Sequence, residues 1–257
     1  MIRLRPALWP TLVTLPMMAL CLGLGLWQLE RREWKRDILD RIAANQPAPP
    51  MTIDELLRGD PLRMEYGRVK LAGTFLHDHE FYLAARSRGD TVGLQVVTPL
   101  KLDDGRTVLF DRGWIPSERR DPAKRVQGQL AGPVALTGIV RRAQLQRGFA
   151  PANSPERNVW FHVDVPTMRG LAGASPDPAL DSFFVEADAT PNPGGMPMGG
   201  QTQLAIPNDH LQYSVTWFLL ALSLAGVYLA YHWEHGRLTL NGRTKQKSPE
   251  ADRISTR

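Results

Sequence analysis

The sequence predicts a membrane protein of the α+β class, in which two transmembrane helices flank a β-rich antiparallel extramembrane domain that is barrel-like or sandwich-like. Two long apolar stretches lie towards the ends of the 257-residue chain, and each exceeds or matches the roughly 20 residues that cross a bilayer. Between them lie short runs rich in β-branched and aromatic residues, separated by turn signals, which is typical of antiparallel sheets.

These features divide the chain into four predicted segments. Residues 1–46 form an N-terminal transmembrane helix with an amphipathic extension, and residues 47–207 form a β-rich periplasmic domain. Residues 208–235 form a C-terminal transmembrane helix, and residues 236–257 form a basic cytoplasmic tail.

The first apolar run covers residues 7–29 and follows Arg3 and Arg5. It is longer than a signal-peptide core of about 7–15 residues, and no small-x-small cleavage motif follows it, so we expect an uncleaved anchor. Residues 30–44 keep a helical spacing of apolar side chains on one face. Prolines at positions 47, 49 and 50 end this helix and begin an extended linker.

The polar middle segment is predicted to be mainly strand. The expected strands are residues 66–76, 81–85, 92–100, 107–110, 134–140, 159–163 and 183–186. Asp104-Gly105 between two apolar runs indicates a hairpin. A short helix is expected near residues 166–170, and the Gly- and Pro-rich residues 188–200 are expected to form a loop.

The second apolar run lies between Asp209 and Glu234, and no charged residue interrupts it. Residues 211–231 number about 21, enough to cross a bilayer. Asn208 or Asp209 is expected to cap this helix by accepting from its first free N–H groups. Aromatic residues lie near both ends, as in membrane-interface belts.

The net charge of +5 lies mainly beside the two spans, so the distribution does not favour nucleic-acid binding. No Lys or Arg occurs between Arg169 and Arg237, whereas the tail carries six Lys or Arg and two acids. By the positive-inside rule both termini are expected in the cytoplasm, with the central domain outside. The first span argues the other way, because four basic residues follow it and two precede it. No Arg- and Ser-rich presequence precedes the first span, so a bacterial inner membrane is expected.

His210 is the main candidate site residue. A neutral imidazole is a common ligand for haem iron, and helical spacing places Tyr213, Ser214 and Trp217 on the same face. That arrangement would offer an iron ligand beside an aromatic surface suited to a porphyrin. The alternative is an interfacial histidine that caps the helix or bonds a loop carbonyl.

Arg31, Arg32 and Lys35 are candidate partners for that site. If the two spans are antiparallel neighbours, these cations lie at the depth of His210 and could pair with haem propionates. The alternative is that they reach towards lipid headgroups.

Other sequence features carry less specific signals. If His77-Asp78-His79 lies in a strand, its two imidazoles share one face and could bind a metal. The alternative is that these residues form an exposed turn. Asp111 and Arg112 are expected to pair locally. Cys21 is the single cysteine, which excludes an intramolecular disulfide and disfavours a copper site. Since no nucleophile elbow, phosphate loop or zinc helix is present, no enzyme is predicted.

The chain resembles the surfeit-locus-one family, the Shy-type assembly proteins of cytochrome c oxidase. Four motifs carry the resemblance: Gly25-x-Trp27-Gln28-x-x-Arg31-x-x-x-Lys35, Tyr66-x-Arg68-Val69-x-x-x-Gly73-x-Phe75, Arg112-Gly113-Trp114-Ile115-Pro116, and Asn208-x-His210-Leu211-x-Tyr213-Ser214-x-Thr216-Trp217-Phe218. The chain departs from the family pattern at Asp111, where asparagine is expected, and at Ser214, where alanine is usual.

The resemblance implies a non-enzymatic assembly factor for an aa3-type haem–copper oxidase in the respiratory chain. It implies that His210 binds the iron of haem a, transiently, and that the haem passes to the catalytic subunit. Tyr213, Trp217, Arg31 and Arg32 would complete the cofactor-binding site. The implied partners are that subunit, the lipid bilayer and, as a further candidate, haem a synthase. A membrane scaffold that binds no cofactor is the alternative, and a copper chaperone is third.

Overall fold

The computed structural model describes residues 2–144 and 151–240, so residues 241–257 of the predicted tail lie outside the described residues. The elements in chain order are β1 (Ile2–Leu4), α1 (Leu8–Asn45), β2 (Met51–Thr52), α2 (Ile53–Arg58), β3 (Arg68–Phe75), β4 (Phe81–Arg88), β5 (Thr91–Leu102), β6 (Thr107–Pro116), β7 (Pro133–Arg142), α3 (Val165–Leu171), β8 (Phe183–Ala187), α4 (His210–Glu234) and β9 (Leu238–Leu240). They divide into two compact units, Met1–Arg36 with Pro207–Arg257, and Asp37–Ile206.

The two long helices α1 and α4 are both long and apolar enough to cross a membrane. Most of their apolar side chains are exposed, and Trp9 and Leu222 are 76% and 68% exposed. Apolar surface of that extent calls for a lipid or protein environment. The chain therefore carries two candidate transmembrane helices, consistent with a multi-pass membrane protein.

In the first unit, α1 and α4 run antiparallel as neighbours. Ser214 Oγ donates to the Gly25 carbonyl at 2.9 Å, and the hydroxyls of Thr11 and Tyr228 lie 2.8 Å apart. Beyond these contacts, β1 and β9 form an antiparallel pair. As residue numbers rise on one helix they fall on the other, which confirms the predicted antiparallel pairing.

Gly25 is where α1 and α4 approach most tightly among the glycines of these helices. A Cβ at Gly25 would lie 2.6 Å from Phe218 Cε1, whereas a Cβ at Gly23 would have no atom within 4 Å. The missing side chain at Gly25 thus leaves room for the Phe218 ring, and small residues are common at contacts between membrane helices.

We expect Gly25→Val to weaken the helix pair by about 1–3 kcal/mol, because the added side chain overpacks against Phe218. The measurement is thermal unfolding of the full chain in detergent micelles. Gly23→Val is the matched control, since it makes the same change on the open face of α1. Equal melting temperatures for the two variants would contradict this packing.

The second unit is built on one mixed sheet of seven strands among the described residues, in the order β2-β3-β7-β8-β6-β5-β4. The predicted antiparallel character is wrong at two places, because β2 runs parallel to β3 and β6 runs parallel to β8. A short second pairing of β3 with β5, over three residue pairs, folds the sheet back on itself. The described sheet is mixed and is not a closed barrel.

The strand β6 is central, and nine of its ten residues are buried. The core lies on both sides of it, with Phe110 in one apolar cluster and Leu109 in another. The short predicted helix is confirmed as α3, and the predicted Asp104-Gly105 hairpin joins β5 to β6. Residues 159–163 are not a strand, because Trp160 makes only an isolated bridge to Leu83.

Candidate functional site

His210 is the first residue of α4 and is half-buried. Its Nδ1 lies 2.7 Å from Gln28 Oε1 on α1. A carbonyl oxygen of an amide can only accept a hydrogen bond, so Nδ1 carries the proton and donates. His210 Nε2 has no hydrogen-bond partner in the part of the chain that the structure describes. The lone pair of Nε2 is therefore available to a ligand.

The start of α4 is held by Asn208 rather than capped as predicted. Asp209 occupies the N-cap position, but its side chain makes no capping hydrogen bond. Asn208 Nδ2 donates to the Arg32 carbonyl at 3.4 Å instead of accepting from the helix. The capping prediction is thus wrong, and the amide connects α4 to α1 just above His210.

A second histidine on α4, His232, shows the contrasting arrangement. It is fully buried, its Nδ1 donates to the Tyr228 carbonyl at 2.8 Å, and its Nε2 accepts from the Ala7 N–H at 3.0 Å. Both of its nitrogens are engaged, as expected of a structural histidine. His210 keeps one nitrogen free.

Tyr213 and Trp217 follow His210 by three and seven residues, which places them near its side of α4. Tyr213 is 57% exposed and Trp217 is half-buried. Neither side chain makes a hydrogen bond or ring contact with another described residue. Their apolar surface remains open next to the histidine.

Arg31 and Arg32 follow Gln28 by about one turn of α1, but their guanidinium groups are engaged elsewhere. Arg31 stacks over the ring of Trp34, with its Cζ 3.8 Å from the centroid. Arg32 Nη1 lies 3.3 Å from Glu33 Oε1. The structure thus brings Gln28 to His210, and gives neither arginine a described contact with that imidazole.

Sequence reasoning did not single out Gln28. It stands in the first-span motif beside Trp27, but a glutamine in an apolar helix has no distinctive spacing. The available signal was the position of Gln28 near the end of the first apolar run. If the two spans are antiparallel, that position lies at the same membrane depth as His210 at the start of the second run.

The family model described as the SURF1 family matches residues 15–222. The chain belongs to the SURF1 family. The match includes both Gln28 and His210, together with the whole seven-stranded sheet.

Individual relatives also support membership of the SURF1 family. A SURF1-like protein of Monosiga brevicollis is 39% identical over 215 residues, which cover 79% of this chain and 80% of that protein. Surfeit locus protein 1 of Mus musculus is 36% identical over 218 residues, covering 78% of this chain and 68% of its own length. Surfeit locus protein 1 of Homo sapiens is 36% identical over 226 residues, which cover 80% of this chain and 71% of that protein.

The sheet of this SURF1-family chain contains a second constellation, centred on the buried carboxylate of Glu80. Arg125 donates to both carboxylate oxygens, at 3.1 and 2.5 Å. Arg112 Nη1 donates at 3.4 Å, Gln129 at 3.1 Å and the Tyr82 hydroxyl at 3.0 Å. The arginines and the carboxylate are each 5% exposed or less. One carboxylate thus balances two buried guanidinium groups.

Burial by itself would raise the pKa of Glu80, but the polar groups beside the carboxylate, His77 and Arg125 foremost, outweigh burial and hold that pKa far below the usual range. Burial, with the neighbouring Glu80 carboxylate, raises the pKa of Tyr82 to about 12. Glu80 is therefore ionised and Tyr82 is a neutral donor. An ionised Glu80 can neutralise the guanidinium charges, and a neutral Tyr82 can donate its hydroxyl proton to the carboxylate.

His77 belongs to this cluster. Of the two interpretations of His77 and His79, the shared strand face is wrong and the turn is confirmed. Residues His77–His79 form a single 3-10 turn. His77 Nε2 lies 2.9 Å from the Leu130 carbonyl, and its Nδ1 lies 3.6 Å from Glu80. In the described residues no group of three or more His, Cys, Asp or Glu side chains could hold a metal ion.

Asp111 and Arg112 do not pair, because consecutive residues of a strand point to opposite faces. Arg112 reaches Glu80, whereas Asp111 Oδ1 accepts from the Gly113 N–H at 2.9 Å. Asp111 lies beside Glu186 on the parallel neighbour β8. Burial, with the nearby Glu186 charge, raises the pKa of Asp111 to about 8. At neutral pH Asp111 is therefore mainly a neutral carboxylic acid in the folded chain.

Proposed function

We propose that this chain is an assembly factor for an aa3-type haem–copper oxidase, and that it binds haem a through His210 and aids its insertion into the catalytic subunit. The observation that carries the proposal is the state of His210. Its Nδ1–H is held by Gln28 on the adjacent helix, and its Nε2 has no partner among the described residues.

The chemistry of the donor set fits such a cargo. Haem iron accepts a neutral imidazole nitrogen as an axial ligand, and the open Tyr213 and Trp217 side chains offer apolar contact to the ring. Haem a carries a long isoprenoid tail, so a carrier should hold it in the membrane. One protein ligand would permit release more readily than two.

Arg31 and Arg32 are proposed to pair with the haem propionates. Each would exchange a present contact, with Trp34 and Glu33 respectively, for a charge-assisted bond to a carboxylate. The Arg32 pair is solvent-accessible, and exposed ion pairs contribute about 1 kcal/mol or less, so the exchange costs little.

The distribution of basic residues supports a proposed membrane topology. Both termini would lie in the cytoplasm and the sheet domain in the periplasm of a bacterial inner membrane, since the basic tail follows α4 and few cations precede it. The catalytic subunit is the proposed recipient, and haem a synthase is a candidate source. The chain would carry the haem and catalyse no reaction.

The deciding experiment compares haem content of the full chain purified from cells that make haem a. We expect His210→Ala to lose at least nine-tenths of the Soret absorbance, because the iron loses its protein ligand. His235→Ala is the matched control, since His235 is an exposed histidine at the other end of α4.

Wild-type protein without a Soret band, from cells that make haem a, would instead support a scaffold that stabilises an oxidase intermediate. A band retained in His210→Ala would place the iron ligand at another residue. Either result contradicts the proposal as stated.

A further inference from the structure

Gln28 approaches His210 from the neighbouring helix and has no catalytic chemistry of its own. We infer that Gln28 is a positioning residue, which fixes the tautomer and ring orientation of His210 so that Nε2 is presented as the ligand atom. The identity of the bound iron rests on the proposed function. The positioning itself is a property of the protein without haem.

A neutral imidazole has two tautomers. Either nitrogen can carry the proton, and the protonated nitrogen has no lone pair for a metal. The 2.7 Å contact between His210 Nδ1 and Gln28 Oε1 stabilises the form with the proton on Nδ1. That hydrogen bond also makes Nε2 a better donor to a metal, as partners of the distal ring nitrogen do in metalloproteins.

The acceptor is held in place by contacts on both sides. Ser214 Oγ donates to the Gly25 carbonyl one turn away on one side, and Asn208 donates to the Arg32 carbonyl one turn away on the other. Gln28 is therefore on a rigid element whose distance from α4 is set by packing. A supported acceptor of this kind can orient a ligand more closely than one on a loop.

Two substitutions at Gln28 distinguish the effect of its hydrogen-bond acceptor from the effect of its side-chain volume. Gln28→Leu has a similar size and removes the acceptor, whereas Gln28→Glu keeps an acceptor and adds a negative charge. Gln212→Leu is the matched control, because Gln212 is an exposed glutamine on α4 whose side chain makes no described hydrogen bond. All three variants are made in the full chain, and the purified proteins are studied in detergent micelles.

The first measurement uses the haem-free protein. Nitrogen-15 NMR of the histidine side chains reports which ring nitrogen is protonated, and the His210 signal is the one missing in His210→Ala. We expect a single tautomer with the proton on Nδ1 in wild type and in Gln212→Leu. In Gln28→Leu we expect a substantial fraction with the proton on Nε2.

The second measurement is haem a titration. We expect Gln28→Leu to weaken affinity about ten- to a hundred-fold, the usual effect of losing such a partner. Gln28→Glu should bind haem and lower its midpoint potential relative to wild type, because a carboxylate increases electron donation by the imidazole. A purely structural role for Gln28 would lower thermal stability and leave that potential unchanged.

Unchanged His210 tautomer and haem affinity in Gln28→Leu would overturn this inference, while loss of haem in His210→Ala would still support the proposed function. If His210→Ala keeps its haem, the proposed function fails, and the tautomer measurement still decides whether Gln28 positions the ring.

Discussion

Glu80→Gln is expected to lower the free energy of unfolding by about 3–5 kcal/mol, the usual cost of removing one partner from a buried ion pair. Glutamine has nearly the same shape but no charge. The guanidinium groups of Arg112 and Arg125 would remain buried without their shared counter-ion. Nothing else in the cluster can balance them, because Tyr82 and Gln129 are neutral.

The measurement is chemical unfolding of the full chain in detergent micelles, followed by tryptophan fluorescence. Glu118→Gln is the control, since it removes an exposed carboxylate from the segment between Arg112 and Arg125 and should change stability by about 0.5 kcal/mol or less. Equal effects of the two substitutions would show that the buried carboxylate does not hold the cluster together. Arg125→Met should also cost less in the Glu80→Gln background than in wild type, because the two residues are coupled.

The same cluster gives a pH dependence of known sign. The pKa of Glu80 is lowered in the folded chain from an ordinary value of 4.5. Below pH 4.5 the unfolded chain takes up a proton at this residue and the folded chain does not, so stability falls as pH falls. Above that pH the contribution of Glu80 is fully present.

The sequence was sufficient to predict the elements that depend on local pattern. Both long helices follow from uninterrupted apolar runs, and the hairpin at Asp104-Gly105 follows from residues that tolerate its turn geometry. The short helix α2 also has a local signal, because Thr52 and Glu55 form a capping box at the usual spacing of three residues.

Strand direction and partner choice were not predictable in the same way. Periodicity reports which face of a strand is buried, but it contains no information on whether the neighbour runs parallel. The pairing of β6 with β8 joins segments about 75 residues apart, which chain-local signals cannot specify. Residues 159–163 are rich in β-branched and aromatic residues, which predicts a strand. Val159 and Trp160 make only isolated bridges, to Ser154 and Leu83.

The candidate site was predictable only in part, for the same reason. His210 stands out because a histidine is unusual at the start of an apolar helix. Gln28 and the burial of Glu80, Arg112 and Arg125 depend on contacts between distant segments. Charged residues in a sequence are ordinarily exposed, so no local rule would place three of them in one core.

Asp111→Asn is expected to stabilise the protein increasingly as pH rises, by up to about 5 kcal/mol at pH 8. The pKa of Asp111 is raised from 3.8 to about 8 in the folded chain by burial and by Glu186. Between those values the unfolded chain loses the proton and the folded chain keeps it. Folded wild type therefore loses about 1.4 kcal/mol of stability per pH unit in that range.

Asparagine removes this penalty because it is neutral in both states and still offers an oxygen to the Gly113 N–H. The stability difference between Asp111→Asn and wild type should be small near pH 4, grow through neutral pH and level off above about pH 8. Unfolding of the full chain at five or six pH values tests the slope, with Asp90→Asn at an exposed hairpin tip as the control. A difference that does not change with pH would mean that Asp111 is ionised in the folded protein, and that Arg86 and Arg141 balance it against Glu186.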